Sequence, residues 1–201
     1  MFPVAPMSGS RRSDFAAWYY LGPSGTNQDY FANLSNSPLG RILKLSPNNY
    51  KILICPTDPL PPQRKSPQYI YSYTFNRMFN GSSAYPQPGT TVGIRKMSEV
   101  RSTAEKVMIY EEDDDQRDDG NGELWTTNWG NTDLLSIRHD ERGKKNPDVA
   151  NSAGLPNNKK KGNVCFADGH ADFVPRNYAH AKSHCVPKPE RAGGVEILVY
   201  N

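Results

Sequence analysis

Apolar and polar positions alternate most regularly in the carboxy-terminal third of the chain. Residues 162–174 read GNVCFADGHADFV, with an alternating arm on each side of a central Ala-Asp-Gly-His. Alternation with a period of two is typical of a half-buried strand, and Asp-Gly is a preferred pair for the centre of a type I′ turn. The pattern therefore predicts a β-hairpin that reverses direction at Asp168 and Gly169.

A two-residue reversal would determine the register of this hairpin. Val164 is expected to face Phe173, and Phe166 to face Ala171, so that these four side chains form one apolar face. The turn itself accounts for the Asp-Gly pair but not for the imidazole that follows it. His170 is therefore a candidate functional residue.

Elsewhere the pattern predicts short elements separated by Gly, Pro and Asn. Helices are predicted at 15–20 and 38–45, and strands at 50–55, 69–75, 107–110, 124–125 and 193–201. A helix followed mainly by antiparallel strands is an α+β arrangement. We expect an antiparallel sheet with a short amino-terminal helical segment and long loops.

Two stretches are predicted to lie outside packed elements. Residues 1–12 contain two prolines, a glycine and two arginines and predict a flexible arm, and residues 140–162 form a polar, lysine-rich insertion. The insertion cannot bury enough apolar surface to order itself. The 201 residues suit one domain, which we place at 13–201 with the insertion inside it.

Composition narrows the functional classes. Hydrophobic residues make up 36% of the chain, and the formal net charge is only +3. No long basic stripe interleaves with aromatic residues, so nucleic-acid binding is not expected. A membrane span needs about 20 consecutive apolar residues. The apolar runs of this chain are far shorter, and we expect no span and no signal peptide within it.

The three cysteines, Cys55, Cys165 and Cys185, match no zinc-ligand spacing. One possibility, conditional on export to an oxidising compartment, is a Cys165–Cys185 disulfide, and the alternative is that these residues are small buried thiols. Cys55 precedes a proline and has no histidine near it in sequence, so a cysteine nucleophile is not predicted.

Several short motifs occur in a characteristic order. They are LICPTDP (53–59), YSYTFNRMFNG (71–81), IRKMSEVRSTAEKVMIYEE (94–112), DDGNGE (118–123), and SIRH (136–139) followed by GNVCFADGHADFV. Together they resemble the bacterial prepilin-like family, similar to type II secretion pseudopilins, that carries a carboxy-terminal His-x9-Asp-Gly signature. The resemblance covers about residues 15–175.

The chain departs from the family pattern in two respects. His139 and Asp168 are separated by 28 residues rather than nine, because of the polar insertion. An insertion in a surface loop need not move its ends apart. The family's leader and long apolar helix do not occur in this sequence, so we expect either a processed or truncated head domain or a soluble relative.

The resemblance implies a pseudopilin-like head domain. It implies a non-enzymatic structural subunit of a type IV pilus-like or type II secretion-like assembly, exported to the periplasm, the outer surface or an extracellular fibre. Its partners would be other pilin-like subunits or further copies of this chain. Without the apolar helix, the aromatic run Trp18-Tyr19-Tyr20 is the expected docking surface.

A first candidate metal site combines His139, Asp168 and His170. Two imidazoles and a carboxylate suit zinc or another transition metal. The alternative is that Asp168 only makes the turn and the histidines form ordinary hydrogen bonds. A metal at this site would allow a second function, a metal-dependent hydrolase with Glu112 as a base.

A second candidate site is the acidic segment after the predicted strand at 107–110. It offers oxygen ligands of the kind that calcium prefers, although not with EF-hand spacing: Asp113, Asp115, Asp118, Asp119, Asn121 and Glu123. Calcium-dependent loops occur in pseudopilin heads. The alternative is a solvated run of charge.

Aromatic residues allow a third function, a carbohydrate-binding module. Trp18, Tyr19, Tyr20, Trp125 and Trp129 could stack against the sugars of a polysaccharide. In a chain of this size, such residues more commonly pack in the core or an interface.

Overall fold

The computed structural model describes thirteen parts of the chain. These are residues 11–13, 18–20, 38–46, 48–58, 71–79, 97–113, 121–122, 124, 133–140, 155, 157–187, 190–192 and 195–197.

Nine strands and a few short helices lie within these residues. The strands are β1 (Arg11–Ser13), β2 (Trp18–Tyr20), β3 (Tyr73–Asn76), β4 (Val107–Glu111), β5 (Asn121–Gly122), β6 (Lys161–Phe166), β7 (Ala171–Pro175), β8 (Glu190–Ala192) and β9 (Val195–Ile197). The helices are α1 (Pro38–Leu43), α2 (Arg176–Ala179) and α3 (Lys182–Cys185), with 3₁₀ turns at Tyr50–Leu53, Arg77–Phe79, Met97–Glu99 and Thr103–Glu105.

The main sheet has the strand order β5-β3-β4-β6-β7. The four strands β3, β4, β6 and β7 form an antiparallel sheet, and the two-residue strand β5 pairs in parallel with β3 at its edge. Two separate antiparallel ribbons are formed by β1 with β2 and by β8 with β9. The predicted α+β class with an antiparallel sheet is confirmed.

The main sheet buries most of its apolar side chains on one face, here called the core face. Buried and partly buried positions alternate along β6, so that Val164 and Phe166 point to the core face. There they pack with Tyr110 of β4 and with Ala179 and Cys185 of the short helices. Because side chains alternate along a strand, the apolar ones lie together on this face, and the short helices pack against them.

The opposite side, here called the second face, carries a smaller apolar cluster. Phe75 of β3 and Ile109 of β4 pack there with Phe79, Val100 and Ala167. The register of β4 against β6 shifts between Val107 and Ile109, as at a β-bulge or a similar irregularity. Both faces of the sheet therefore carry buried apolar side chains, with the larger cluster on the core face.

The hairpin of β6 and β7 forms at the predicted place with a different turn. The Gly169 N–H donates to the Phe166 carbonyl at 2.9 Å, and the Phe166 N–H donates to the His170 carbonyl at 2.8 Å. Three residues therefore form the loop, with Gly169 alone at a positive φ of 96°. The predicted type I′ turn is wrong, because Asp168 does not adopt the left-handed conformation.

The extra loop residue moves the register by one position. Val164 pairs with Asp172 instead of Phe173, and Cys165 pairs with Ala171. A one-residue slip exchanges the faces of a strand, because side chains alternate with a period of two. Val174 of β7 therefore reaches the core, and Ala171 is exposed.

Three predicted elements are wrong in type at the residues that the structure describes. Trp18–Tyr20, predicted as the end of a helix, forms β2, in keeping with the strand preference of aromatic residues. The predicted strand at 50–55 is a 3₁₀ turn over Tyr50–Leu53. Leu124, predicted in a strand, is buried outside one, and the strand nearby is β5.

The remaining predictions agree in type with the structure where it describes them. The helix predicted at 38–45 is α1, the strand at 107–110 is β4, and β9 lies within 193–201. The strand predicted at 69–75 corresponds to β3, which begins later, at Tyr73, while residues 69–70 lie outside the described residues.

The carboxy-terminal ends of the predicted arm and of the predicted insertion belong to strands. Arg11 and Arg12 lie in β1, and Lys161 and Gly162 begin β6. Residues 1–10, 141–154 and 156 lie outside the described residues. Across the part of the chain that the structure covers, no helix has the length and apolar character that crossing a membrane requires.

Candidate functional site

Glu111, the last residue of β4, is the centre of a buried polar cluster on the second face. Its neighbour Tyr110 points into the core, so Glu111 points to the opposite side, beside its register partner Tyr73 of β3. The residue is 0% exposed. A buried carboxylate is costly unless charges and hydrogen bonds compensate it. The structure supplies these from three separate segments of the chain.

The segment at 133–140 provides an arginine and a histidine. It continues the sheet beyond β4, because the Ser136 N–H donates to the Glu111 carbonyl at 2.6 Å. Arg138 Nη1 lies 3.1 Å from Glu111 Oε1. His139 Nε2 lies 3.2 Å from Oε1 and 3.1 Å from Oε2 of the same carboxylate. The side chain of His139 is 28% exposed, so one side of the cluster faces solvent.

The segment at 53–58 provides a thiol and a second carboxylate. Ser72 connects them: its hydroxyl accepts a hydrogen bond from the Cys55 N–H at 2.8 Å and donates one to Asp58 Oδ2. Asp58 Oδ2 also lies 3.2 Å from Arg138 Nη1. This arrangement brings Cys55 Sγ to 3.2 Å from His139 Nε2.

Strand β6 completes the cluster with Asn163, whose Nδ2 donates to Glu111 Oε2 at 3.1 Å. The seven residues that make these contacts are called the Glu111 cluster below: Cys55, Asp58, Ser72, Glu111, Arg138, His139 and Asn163. Beside it, burial and then the negative charge of Glu111 raise the pKa of the Tyr73 phenol.

Three members of the Glu111 cluster have donor atoms that a metal ion could share. The Cys55 thiol, a Glu111 carboxylate oxygen and a His139 ring nitrogen all lie within 4.8 Å of one another. Sulfur, imidazole nitrogen and carboxylate oxygen are the three kinds of ligand that zinc accepts.

The same atoms do not form a cysteine-based catalytic triad. In a triad, the thiol and the carboxylate bind opposite nitrogens of the imidazole. Here both the Cys55 thiol and the Glu111 carboxylate contact Nε2 of His139. The arrangement therefore favours ligation over nucleophile activation.

The predicted metal trio of His139, Asp168 and His170 is not brought together. Asp140, next to His139, binds the Lys161 N–H at the start of β6 through its Oδ2 at 2.7 Å. Asp168 and His170 lie beyond the other end of β6, at the hairpin loop. The length of the strand separates the two parts.

At the hairpin, Asp168 and His170 form an exposed pair of their own. His170 Nδ1 lies 2.6 Å from Asp168 Oδ1, which also accepts the His170 N–H at 3.1 Å. These hydrogen bonds lower the pKa of the Asp168 carboxyl, the backbone contact most. The His170 ring stacks on Phe166 with centroids 4.3 Å apart. Asp168 and His170 thus have a structural role in the loop.

Glu112, predicted as a base beside the trio, is also placed elsewhere. It is buried and forms an isolated antiparallel bridge with Leu135, and its carbonyl accepts a 2.7 Å hydrogen bond from Arg138 Nη2. Its backbone position holds the segment that carries Arg138 and His139 against β4.

The acidic segment is described only at its ends. Asp113 is buried and binds Arg176 Nη2 through Oδ2 at 2.8 Å, so it belongs to a structural ion pair. Asn121 lies in β5. The predicted calcium ligands Asp115, Asp119 and Glu123, together with Asp118, lie outside the described residues. The calcium site stays a prediction.

Of the two alternatives for the cysteines, the structure shows thiols: Cys55, Cys165 and Cys185 are not joined by a disulfide. Cys185 packs on the core face with Val164 and Phe166. Cys165 lies between these two residues on β6 and therefore points to the second face. The sheet itself separates the two sulfur atoms.

The predicted aromatic surfaces are only partly covered by the structure. The backbone of Trp18, Tyr19 and Tyr20 forms β2, while their side chains lie outside what the structure describes. Trp125 and Trp129 also lie outside it. Docking and sugar binding by these residues stay predictions.

Sequence reasoning missed a second buried polar site on the core side. Arg176 is 0% exposed, and its Nε donates to the Leu135 carbonyl at 2.9 Å. His180 accepts the Leu135 N–H at its Nε2 and therefore donates from Nδ1 to the Leu124 carbonyl. Burial first, and the charge of Arg176 second, lower the pKa of His180 to about 3. No local sequence signal marks either residue.

Cys55 and Glu111 were missed as candidate ligands for a different reason. Both lie in the motifs quoted above, LICPTDP and the strand that ends in two glutamates. Their spacing along the chain matches no metal-binding pattern, because the partner histidine is 84 residues from Cys55 and 28 from Glu111. The order of the motifs was the only signal that these positions belong together.

Comparison of the chain with protein-family models, with curated proteins and with solved structures finds no match in any of the three.

Proposed function

We propose that this chain is the head domain of a pilin-like structural subunit, in an exported type IV pilus-like or type II secretion-like assembly. In this proposal the chain has no catalytic activity. Its partners are other pilin-like subunits or further copies of itself, in the periplasm, on the outer surface or in an extracellular fibre.

One observation carries the proposal. The motifs on which the family resemblance rests are far apart in the sequence, yet four of them supply the members of the Glu111 cluster. LICPTDP contributes Cys55 and Asp58, YSYTFN contributes Ser72, the strand at 107–111 contributes Glu111, and SIRH with GNVCF contributes Arg138, His139 and Asn163. Residues that jointly build one buried cluster are under a common structural constraint, as the motifs of a single fold family would be.

The chemistry of the cluster supports a structural role. A network of buried charges and hydrogen bonds links the segments at 53–58 and 133–140 to the end of the sheet, and breaking such a network by removing one partner is strongly destabilising. A head exposed outside the cell gains from loops that are held in place. The hydrolase alternative loses support, because its ligands His139, Asp168 and His170 do not converge.

The proposal is tested by locating the protein in its native host. The gene would be tagged at its 3′ end on the chromosome, and filaments sheared from the cell surface would be probed for the tag. We expect the tag in the sheared fraction and along filaments in immunogold electron microscopy. A tag confined to the cytosolic fraction would contradict the proposal. A chromosomally tagged cytosolic protein is the control for lysis.

The contact surface is tested separately in solution. Replacing Trp18 and Tyr19 with Ser removes the aromatic side chains of the predicted docking surface. We expect self-association of the purified chain, measured by light scattering over a concentration series, to be weaker in the double variant. Unchanged self-association would exclude this surface. Replacement of the exposed Ile42 with Ser is a matched control for general loss of apolar surface.

A further inference from the structure

Three atoms that can bind a metal ion meet at His139 Nε2. Cys55 Sγ lies 3.2 Å from this nitrogen, and the two carboxylate oxygens of Glu111 lie 3.2 and 3.1 Å from it. Nε2 carries either one hydrogen or one lone pair. As a donor it can satisfy the carboxylate, and as an acceptor it can satisfy the thiol, but it cannot do both. A cation between the three groups would satisfy all of them.

We propose that Cys55, Glu111 and His139 bind one Zn²⁺ ion. Zinc bonds of about 2.3 Å to sulfur and about 2.0–2.2 Å to nitrogen and oxygen, at tetrahedral angles, separate the ligand atoms by roughly 3.3–3.6 Å. His139 Nε2 lies 3.2 Å from Cys55 Sγ and 3.1 Å from a Glu111 oxygen, a few tenths of an ångström less than these values. Cys55 Sγ and a Glu111 oxygen lie within 4.8 Å of each other. Side-chain rotations would bring the three atoms to the separations of a zinc site.

The groups around these three residues fit the needs of a metal site. Thr57 Oγ1 lies 3.2 Å from Cys55 Sγ and can donate to a thiolate. Asn163 Nδ2 donates a hydrogen bond to Glu111 Oε2, and Arg138 Nη1 lies 3.1 Å from Oε1 as an ion pair, so each oxygen of the carboxylate has an outer partner. Such outer contacts orient the ligands of metal sites and strengthen binding.

The charges also balance. Asp58 and Glu111 contribute two negative charges and Arg138 contributes one positive charge, so these three residues together carry −1. A Zn²⁺ ion bound to the thiolate of Cys55 adds +1 and makes the site neutral. A buried site is most stable when its charges are paired in this way.

The fourth coordination position would face solvent. The side chain of His139 is 28% exposed, whereas Cys55 and Glu111 are buried. A water molecule can complete the tetrahedron from that side, as in zinc sites with three protein ligands. The ion would join the segments at 53–58 and 133–140 to the end of β4. This inference does not depend on assembly into a pilus.

Zinc binding is measured on the untagged full chain after chelator treatment and dialysis, by elemental analysis and calorimetric titration. We expect one equivalent of zinc per chain in the wild type, and its loss in Cys55→Ser and in His139→Gln. Cys165→Ser is the matched control, since Cys165 is a partly buried thiol on the same sheet face, and it should bind zinc as the wild type does. Asn163→Ala should weaken binding by about 10–100-fold, because it removes only an orienting contact.

A second measurement covers the case in which a variant does not fold. Cobalt(II) added to the metal-free wild type reports thiolate ligation directly, through a sulfur-to-metal charge-transfer band in the near ultraviolet. We expect this band, and we expect zinc to remove it by competition. Failure of the wild type to bind an equivalent of zinc, absence of the band, or unchanged affinity in folded Cys55→Ser and His139→Gln would each overturn the proposal.

Discussion

Gly162 of β6 lies directly against the backbone carbonyl of Ser136. A Cβ atom at position 162 would be 1.9 Å from the Ser136 oxygen and 2.8 Å from Leu135 Cγ. The close approach lets the segment at 133–140 pass over the start of β6 and deliver Arg138 and His139 to Glu111. Glycine is thus required here by the space available, and the adjacent Asn163 completes the same cluster.

This relationship predicts that Gly162→Ala is strongly destabilising. The obstructing atom belongs to the backbone, so the segment itself must move, and overpacking of this kind typically costs about 1–3 kcal/mol. We expect a lower midpoint of urea unfolding, with a change in the environment of His139 visible by NMR. An unaltered midpoint would show that the segment is not packed as described.

Gly169 supplies a contrasting case, in which conformation rather than space requires glycine. Its φ is +96°, and a Cβ there would meet nothing within 4 Å. Gly169→Ala should cost about 1–2 kcal/mol, the usual strain of a left-handed conformation. Gly169→Asn should cost less, because Asn tolerates that region better. Equal urea midpoints for Ala and Asn would contradict the assigned turn.

We predict that substitutions in the buried ion pair of Arg176 and Asp113 lower the free energy of unfolding strongly and non-additively. Asp113→Ala leaves a guanidinium that is 0% exposed without its 2.8 Å partner. Breaking a buried pair in this way typically costs about 3–5 kcal/mol, whereas replacing both charges with apolar residues can be far less costly. We expect the double variant Arg176→Met/Asp113→Leu to be more stable than Asp113→Ala in urea titrations. Additive losses would exclude a direct coupling between the two side chains.

Because His180 is buried in its neutral form, we predict that the protein loses stability in mild acid. Its pKa is lowered to about 3 in the folded protein, against an ordinary value of 6.5. In the unfolded chain His180 therefore binds a proton below about pH 6.5, whereas in the folded protein it stays neutral down to about pH 3. Between pH 7 and pH 5 this residue should reduce the free energy of unfolding by about 2 kcal/mol.

The comparison with His180→Gln isolates this contribution from other titrating groups. Glutamine can still donate to the Leu124 carbonyl and accept the Leu135 N–H, the two contacts that His180 makes. The variant should lose about 2 kcal/mol less than the wild type between the two pH values. The same acid sensitivity in both proteins would show that His180 is protonated in the folded state.

Local pattern was sufficient to predict the main strands of the sheet that carry the cluster. Alternation over 162–174 and the branched residues at 107–110 correctly predicted β6, β7 and β4, because side-chain direction in a strand depends only on the period of two. The same reasoning placed Asp-Gly in a reversal. It could not choose between a two- and a three-residue loop, since both accept glycine at a positive φ.

Composition was a weaker guide to secondary structure where a short segment could form either a helix or a strand. The aromatic run at 18–20 was predicted as helix and forms β2, and the apolar run after Tyr50 was predicted as a strand and forms a 3₁₀ turn. Short apolar runs fit either state, and pairing with a distant or neighbouring segment decides between them.

The sequence by itself determined the α+β class, the positions of β4, β6 and β7, and the order of the motifs that resemble the prepilin-like family. Only the tertiary structure decided which of the motif residues meet. Cys55 and His139 are 84 residues apart and are joined through Ser72, Asp58 and Arg138. The period of two predicts on which face of its own strand a side chain lies. The meeting of side chains at Glu111 depends on the register of the strands and on the paths of several loops, and no local pattern contains this information.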